Sequence, residues 1–306
     1  MRTVALPTYD QCAAGMLPAG GRRAAVLGSP VAHSLSPVLH RAAYRELRLD
    51  WYYGAAQVEE TELGGILSAL DEEWAGLSLT MPLKHVALDL VDVVDPLAEV
   101  VGAANTVLVQ PVSGLLVGAN TDVYGVVAAL REAADRPDWH PRSAVVLGAG
   151  ATAASTLAAL AELGITDSLV LVREPARAGG LHRAAHRMGV SITVRRLGRP
   201  SELAQAVRVA DVVVSTLPGG AAAPLADQLA EALAAPDTAG SVLLDVAYDP
   251  WPSRLAQVFA AAGGSIAPGW AMLLHQATEQ VRLMTGRSAP VAAMREALLA
   301  VVGDDG

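Results

Sequence analysis

From residue 23 onward, short apolar runs alternate with longer segments whose apolar positions recur at helical spacing. The run at 24–28 predicts a buried strand. Ser36-Pro37 then opens a helix, with serine as the cap and proline at the first helical position. Residues 51–58 and 74–80 repeat the strand pattern on either side of a helical 61–70. Strand-like 106–109 and 115–119 flank a turn at 111–114, which predicts a hairpin. A helix over 125–134 then runs to the break at Arg136-Pro137-Asp138.

Beyond Pro141 the alternation sharpens. Residues 144–147 read as a strand, 151–163 as a helix closed by Gly164, and 168–173 as the next strand. Further buried strands fit 192–196, 211–216 and 242–246, and helices at 270–285 and 291–302 close the chain. Strands separated by helix-length segments make βαβ units and a parallel sheet. The expected fold is α/β, in two domains, the second built on a parallel sheet. The first domain is expected over 23–125, completed by helices within 269–306, and the second over 126–268. Residues 1–22, with Gly15, Pro18, Gly20 and Gly21 and no sustained apolar run, read as a loose leader rather than a secretory signal.

Composition narrows the function. A chain of 306 residues with 52% hydrophobic and 17% charged positions can bury a large core. The net charge of −9 argues against nucleic-acid and anionic-membrane partners. No apolar stretch is long enough for a membrane span, so a cytoplasmic protein is expected. A single cysteine, Cys12, excludes an internal disulfide framework and a multi-thiolate metal site, and no metal is expected. Of the 22 basic residues one is lysine, Lys84, and the rest are arginine. A surface cation exchanges freely between the two, but a site that must give up and take back a proton cannot use arginine.

Two groups of residues carry candidate chemistry. Gly148-Ala149-Gly150-Ala151-Thr152-Ala153 follows a strand and opens a helix, the G-x-G-x-x-A form of the dinucleotide fingerprint. Gly148 permits the tight turn, Gly150 admits a pyrophosphate to the helix N-terminus, and Ala153 keeps the helix close to the sheet. The next strand ends in Val172-Arg173-Glu174-Pro175-Ala176-Arg177, without the acid that holds a ribose diol in NAD sites. Arg173 and Arg177 suit a 2′-phosphate, which favours NADP(H) over NAD(H), provided Glu174 turns away. In the first half, Thr80-x-Pro82-x-Lys84, Asn105-Thr106 and Asn120-Thr121-Asp122 all stand at strand ends, where α/β sheets bind ligands. A lysine beside a carboxylate can exchange the proton of an alcohol–ketone pair, while asparagines and hydroxyls orient a polyhydroxylated substrate.

These residues, with Ser34-Leu35-Ser36-Pro37, Gly102-Ala103-Ala104-Asn105-Thr106, Asp245-x-x-Tyr248-x-Pro250 and Gly269-x-x-Met272-Leu273-x-x-Gln276, resemble the motifs of the shikimate dehydrogenase family. The likeness runs from about residue 24 to the C-terminus. It implies an α/β fold with an N-terminal α/β substrate domain plus a Rossmann-like dinucleotide-binding domain, the active site in the interdomain cleft, and reversible reduction of 3-dehydroshikimate to shikimate by NADPH, in aromatic amino-acid biosynthesis. It further implies that Ser34 and Ser36 bind the substrate carboxylate and that Lys84 is catalytic with Asp122 as its partner. Thr80, Asn105, Tyr248 and Gln276 would complete the substrate pocket, and Gly269 would join the cofactor site. Three positions depart from the family pattern: Ser78 replaces a common asparagine, Ala151 a third glycine, and Val172-Arg173-Glu174 an Asn-Arg-Thr cluster.

Other dehydrogenase chemistries fail on residues. A Tyr-x-x-x-Lys pair would need tyrosine at Thr80, and catalytic zinc would need cysteine ligands. His33, His40, His85 and His275 lack paired metal spacing and read as packing or surface, while Trp51, Trp74, Trp251 and Trp270 fit strand or helix faces and read as core rather than cofactor stacking. Arg195, Arg196 and Arg199 read as a solvated edge. An NAD-dependent quinate/shikimate dehydrogenase, a relative acting on an amino-substituted shikimate, and a non-catalytic ligand sensor remain as alternatives. The expected partner is a small molecule, and monomer and homodimer fit equally.

Overall fold

The computed structural model describes residues 21–303. The leader expected over 1–22 lies outside the described residues except for its last two, and Cys12 lies outside them as well. The chain divides into two compact units: one holds the described residues through Thr121 with Ala277–Val301, the other Asp122–Gln276 with residues 302–303.

The first unit is built on one mixed sheet of β1 (Arg23–Gly28), β2 (Tyr52–Gln57), β3 (Trp74–Leu79), β4 (Val93–Val94), β5 (Thr106–Val109) and β6 (Leu116–Ala119). Their order is β2-β1-β3-β5-β6-β4. β1 pairs in parallel with β2 and β3, while β3, β5 and β6 run antiparallel, the last two as the expected hairpin. Every residue of β1 and β3 is buried, the signature of central strands covered on both faces. Helices α1 (Ser36–Glu46), α2 (Glu60–Ser68) and α3 (Pro96–Val101) lie between these strands in the chain. Leu27, Leu63, Leu77, Leu83 and Val107 centre the core.

Ser36 does not cap α1. It is the first helical residue, Leu35 holds the cap position without a side-chain bond, and the Ser36 amide donates to Ser34 Oγ at 3.4 Å. A proline is tolerated anywhere in a first turn, so Ser-Pro marks the start only to within a residue. Asp95 is a true cap: its carboxylate accepts from the amides of Leu97 (2.8 Å) and Ala98 (3.4 Å), worth about 1 kcal/mol to α3. Gly102, at φ 78°, ends that helix and leads directly into the Ala103–Thr106 segment of the site.

The second unit opens with α4 (Asp122–Ala134) and carries β7 (Ala144–Leu147), α5 (Ala151–Glu162), β8 (Asp167–Val172), α6 (Gly179–Met188) and β9 (Ser191–Arg196). It continues with α7 (Pro200–Arg208), β10 (Val212–Ser215), α8 (Ala223–Ala232), β11 (Val242–Asp245), α9 (Arg254–Ala261) and β12 (Ser265–Pro268). All pairings are parallel, in the order β12-β11-β10-β7-β8-β9, which makes the doubly wound dinucleotide arrangement expected from the sequence. The chain's one phenylalanine, Phe259, is fully buried in its core with Leu147, Leu203, Val213 and Leu243. Helices α10 (Gly269–Thr285) and α11 (Val291–Val302) end the chain, and the division between units falls inside α10.

Two expectations need correction here. β9 is not buried: its residues alternate between exposed and half-buried because it pairs only with β8 at the sheet edge. α4 starts at Asp122 rather than at 125, a carboxylate favouring the helix N-terminus. Gly125, which suggested a late start, is inside the helix at a close approach, where a Cβ would sit 2.7 Å from the Met272 carbonyl oxygen.

Candidate active site

The motif segments of the first unit are tied together backbone to side chain. Thr80 follows β3, its amide donating to the Leu27 carbonyl (2.9 Å) and its own carbonyl accepting from Leu83 (2.9 Å). Gly28 faces it, and a Cβ at that position would strike the Thr80 methyl. The Lys84 carbonyl accepts the Ala104 amide at 2.8 Å, and the next side chain, His85, donates from Nδ1 to the Gly102 carbonyl at 2.7 Å. Asn120 Nδ2 donates to the Ala103 carbonyl (2.8 Å), so the segment 102–104 is clamped from both sides. Lys84 is half-buried.

Behind these segments lies a buried polar network that the sequence did not reveal. Tyr53 donates its hydroxyl to Ser78 Oγ at 2.7 Å, and Ser78 donates to Gln280 Oε1 at 2.9 Å. The His40 ring stacks on Tyr53 with centroids 4.0 Å apart, and its Nε2 faces the same Gln280 oxygen at 3.2 Å. Gln280 Nε2 donates to Thr106 Oγ1 (2.9 Å) and to the Asn105 carbonyl (3.2 Å). Thr106 Oγ1 in turn donates to Asn105 Oδ1 at 3.0 Å. Asn105 Oδ1 also accepts the Thr121 amide (2.8 Å), while its Nδ2 donates to Thr121 Oγ1 (2.9 Å).

Burial sets the charge states of this network. It pulls His40 down to about 4, a shift the Gln280 bond only partly opposes, so the ring is neutral near pH 7. A neutral ring whose Nε2 donates to Gln280 leaves Nδ1 to accept the Tyr44 hydroxyl at 3.3 Å. Burial likewise pushes the Tyr53 hydroxyl well above its ordinary range, against the bonds to Ser78 and Ser36.

In the second unit Asp122 is buried at the first turn of α4. Tyr248 is half-buried, its hydroxyl pushed up by burial and then by Asp249. It sits in the loop after β11 that Asp245 closes, the carboxylate accepting from Ser253 Oγ at 2.6 Å. Burial pushes the Asp245 carboxyl up, partly offset by that bond and by the Ala247 amide. Gln276 is buried in α10, with Nε2 donating to the Leu273 carbonyl at 3.0 Å. Gly269 starts α10 where a Cβ would strike the Val246 carbonyl.

The glycine turn has the shape a pyrophosphate needs. Gly148 has φ 109°, and a Cβ there would strike Thr216 Oγ1. Gly150 occupies the cap of α5, and a Cβ on it would meet nothing within 4 Å, so its front is open space at a positive helix end. Ala149, Ala151 and Thr152 line the same turn and are accessible, whereas Ala153 is fully buried against the sheet. Arg173 and Arg177 are exposed beyond β8, as is Glu174. Residues of this type and placement fit a dinucleotide. Among the described residues, no group of three or more His, Cys, Asp or Glu could hold a metal ion, and no helix is long and apolar enough to cross a membrane.

Within the first unit the predicted Asn105 thus belongs to the hydrogen-bonded network, the predicted Ser34 and Ser36 bond to each other at the start of α1, and Thr80 and Lys84 stand on a segment clamped to Asn105's neighbours. Asp122, Tyr248, Gln276 and the nucleotide residues belong to the second unit. The sequence reading missed Tyr53, Gln280 and the part played by His40 and Ser78. One signal was present: Gln276 and Gln280 are spaced i, i+4 among the buried Leu274, Ala277, Val281 and Met284, polar residues on an apolar helix face.

Comparisons with known proteins show the family. A family model described as the shikimate dehydrogenase substrate binding domain matches residues 26–107, and one described as the shikimate 5′-dehydrogenase C-terminal domain matches residues 269–299. The chain is 36% identical over 275 residues to a shikimate dehydrogenase (NADP+) of Rubrobacter xylanophilus, covering 89% of this chain and 94% of that one. The crystal structure of Mycobacterium tuberculosis shikimate dehydrogenase is similar with TM-score 0.80 and 42% identity, over 92% of this chain and 100% of that one. That of the Thermus thermophilus shikimate 5-dehydrogenase in complex with NADP(H) and shikimate has TM-score 0.75 and 33% identity, over 91% and 99%.

Proposed function

Because the chain belongs to the shikimate dehydrogenase family, we propose that it catalyses the reversible NADPH-dependent reduction of 3-dehydroshikimate to shikimate. The observation that carries the reading is the setting of Lys84, the chain's one lysine, on a segment clamped through its own carbonyl and through His85 to the Gly102–Thr106 motif. A main chain held on both sides fixes the point from which the lysine stem reaches toward a substrate, which positions the group for proton transfer.

In this proposal Ser34 and Ser36 hold the substrate carboxylate. Asn105, Asp122 and Gln276 fix the ring hydroxyls, and Thr80 and Tyr248 complete the substrate pocket. Lys84 gives a proton to the C3 oxygen in reduction and takes it back in oxidation, and Asp122 steadies the ammonium. Gly148, Ala149, Gly150, Ala151 and Thr152 would hold the pyrophosphate on backbone amides, Arg173 and Arg177 would hold the 2′-phosphate, and Gly269 would join the cofactor site. Bound NADP(H) supplies or accepts the hydride. The reaction belongs to chorismate and aromatic amino-acid biosynthesis, in the cytoplasm, with the chain acting as monomer or homodimer.

The test is a matrix of two substrates and two cofactors. Purified protein is assayed with shikimate and with quinate, each with NADP+ and with NAD+. The proposal expects the highest kcat/KM for shikimate with NADP+. Highest efficiency for quinate with NAD+ would replace it by the catabolic reading, and inactivity in all four arms would favour a ligand sensor.

A further inference from the structure

Gln280 stands outside every motif that points to substrate or cofactor, yet it is the residue through which the buried network of the first unit passes. Its side chain is fully buried and makes four polar contacts. The donors run in one direction. Tyr44 donates to His40, His40 and Ser78 donate to the Gln280 oxygen, the Gln280 nitrogen donates to Thr106 Oγ1, and Thr106 donates to Asn105 Oδ1. The Asn105 carbonyl, which can only accept, forbids the flipped amide, because a flip would set Oε1 against it, and with the amide so fixed Oε1 takes the donors from His40 and Ser78. The Gln280 nitrogen then occupies a lone pair of Thr106 Oγ1, so the Thr106 hydrogen points at Asn105.

Asn105 inherits that direction. Its Oδ1 meets the Thr106 hydroxyl, the Thr121 amide and, at 3.3 Å, the Thr121 hydroxyl, and its Nδ2 lies 2.9 Å from that same hydroxyl. We propose that Gln280 is a positioning residue for substrate recognition, fixing through the Thr106 hydroxyl which edge of the Asn105 amide is presented to the substrate. This rests on the reading in which Asn105 binds ring hydroxyls. Ser78, where the family commonly has asparagine, belongs to the same device: its hydroxyl is engaged inward, between Tyr53 and Gln280. Without the relay, Asn105 Oδ1 loses the Thr106 hydroxyl, one of the donors that orient it, and the two amide edges become closer in energy. Substrate binding weakens, while the proton-transfer step at Lys84 is untouched.

Two positions test the relay with opposite steric signs. Thr106→Val keeps the shape and removes the hydroxyl; Thr106→Ser keeps the hydroxyl and removes a methyl. The relay expects Thr106→Val to raise the KM for shikimate about tenfold with kcat within about threefold, and Thr106→Ser to stay near wild type. Gln280→Met, similar in volume, is expected to match Thr106→Val, and the double variant to be no worse than either single one. A packing role predicts the reverse order, serine costing more than valine, and that order would overturn the proposal, as would an unchanged KM in Gln280→Met. Asn105→Ala separates the two levels. A raised KM in Asn105→Ala with none in Thr106→Val removes the relay alone, whereas an unchanged KM in Asn105→Ala removes the substrate role of Asn105 and the relay with it.

Discussion

The two units hold their functional groups by different means. In the first, Asn105, Thr106, Ser78 and Gln280 are buried side chains, each fixed by bonds from other side chains. In the second, the nucleotide turn has almost no side chains: Gly148 and Gly150 shape a backbone and leave open space, and the arginines that would read the phosphate are exposed. A network of buried polar groups stores selectivity, since each member has one satisfied orientation. A glycine turn stores affinity for a group that every nucleotide carries, and leaves the choice of nucleotide to the surface. The two designs should therefore fail differently.

Acid is the first way to separate them. His40 has a folded pKa near 4 against 6.5 unfolded, so below pH 6.5 the unfolded chain takes up a proton that the folded one refuses. Stability is full above 6.5 and falls by about 3 kcal/mol on the way to pH 4, at 1.36 kcal/mol per unit. Asp245 in the second unit has the opposite sign: its folded pKa is raised, so acid relieves rather than adds strain there. Hydrogen exchange at pH 5 against pH 7 should show α1 and β2 opening before β10 and β11. Loss of protection in the second unit first would break the contrast.

The glycine turn gives a smaller and more selective effect. Gly148→Ala forces an L side chain to φ 109° and into Thr216, and should cost about 1–3 kcal/mol in urea unfolding. Gly150→Ala meets no atom within 4 Å, so stability should hold while the Kd for NADP+ rises about tenfold as the methyl fills the space before the helix end. Equal losses of stability in both variants would mean that the turn is structural and holds no nucleotide.

Much of this was legible along the chain. Buried parallel strands announce themselves as apolar runs, and β7, β10 and β11 lie within a residue or two of where the pattern puts them. β4 has two residues and no pattern to read, and β9 alternates because it is an edge. The site divides in the same way. Lys84, Asn105 and the glycine turn sit in short local motifs, so spacing alone brings them out. The network behind them joins His40 to Gln280 across 240 positions and Thr106 to Gln280 across 174, and no window along the sequence contains such a pair. Tyr53 and His40 read locally as ordinary aromatic packing, which they also provide.

The proton-transfer role of Lys84 is the point on which the account rests, and Lys84→Ala tests it most directly when turnover and binding are measured on the same preparation. The account predicts that kcat for shikimate oxidation falls by roughly 10²–10⁴-fold while shikimate still binds with near wild-type Kd by calorimetry. Near-normal turnover in Lys84→Ala would contradict it.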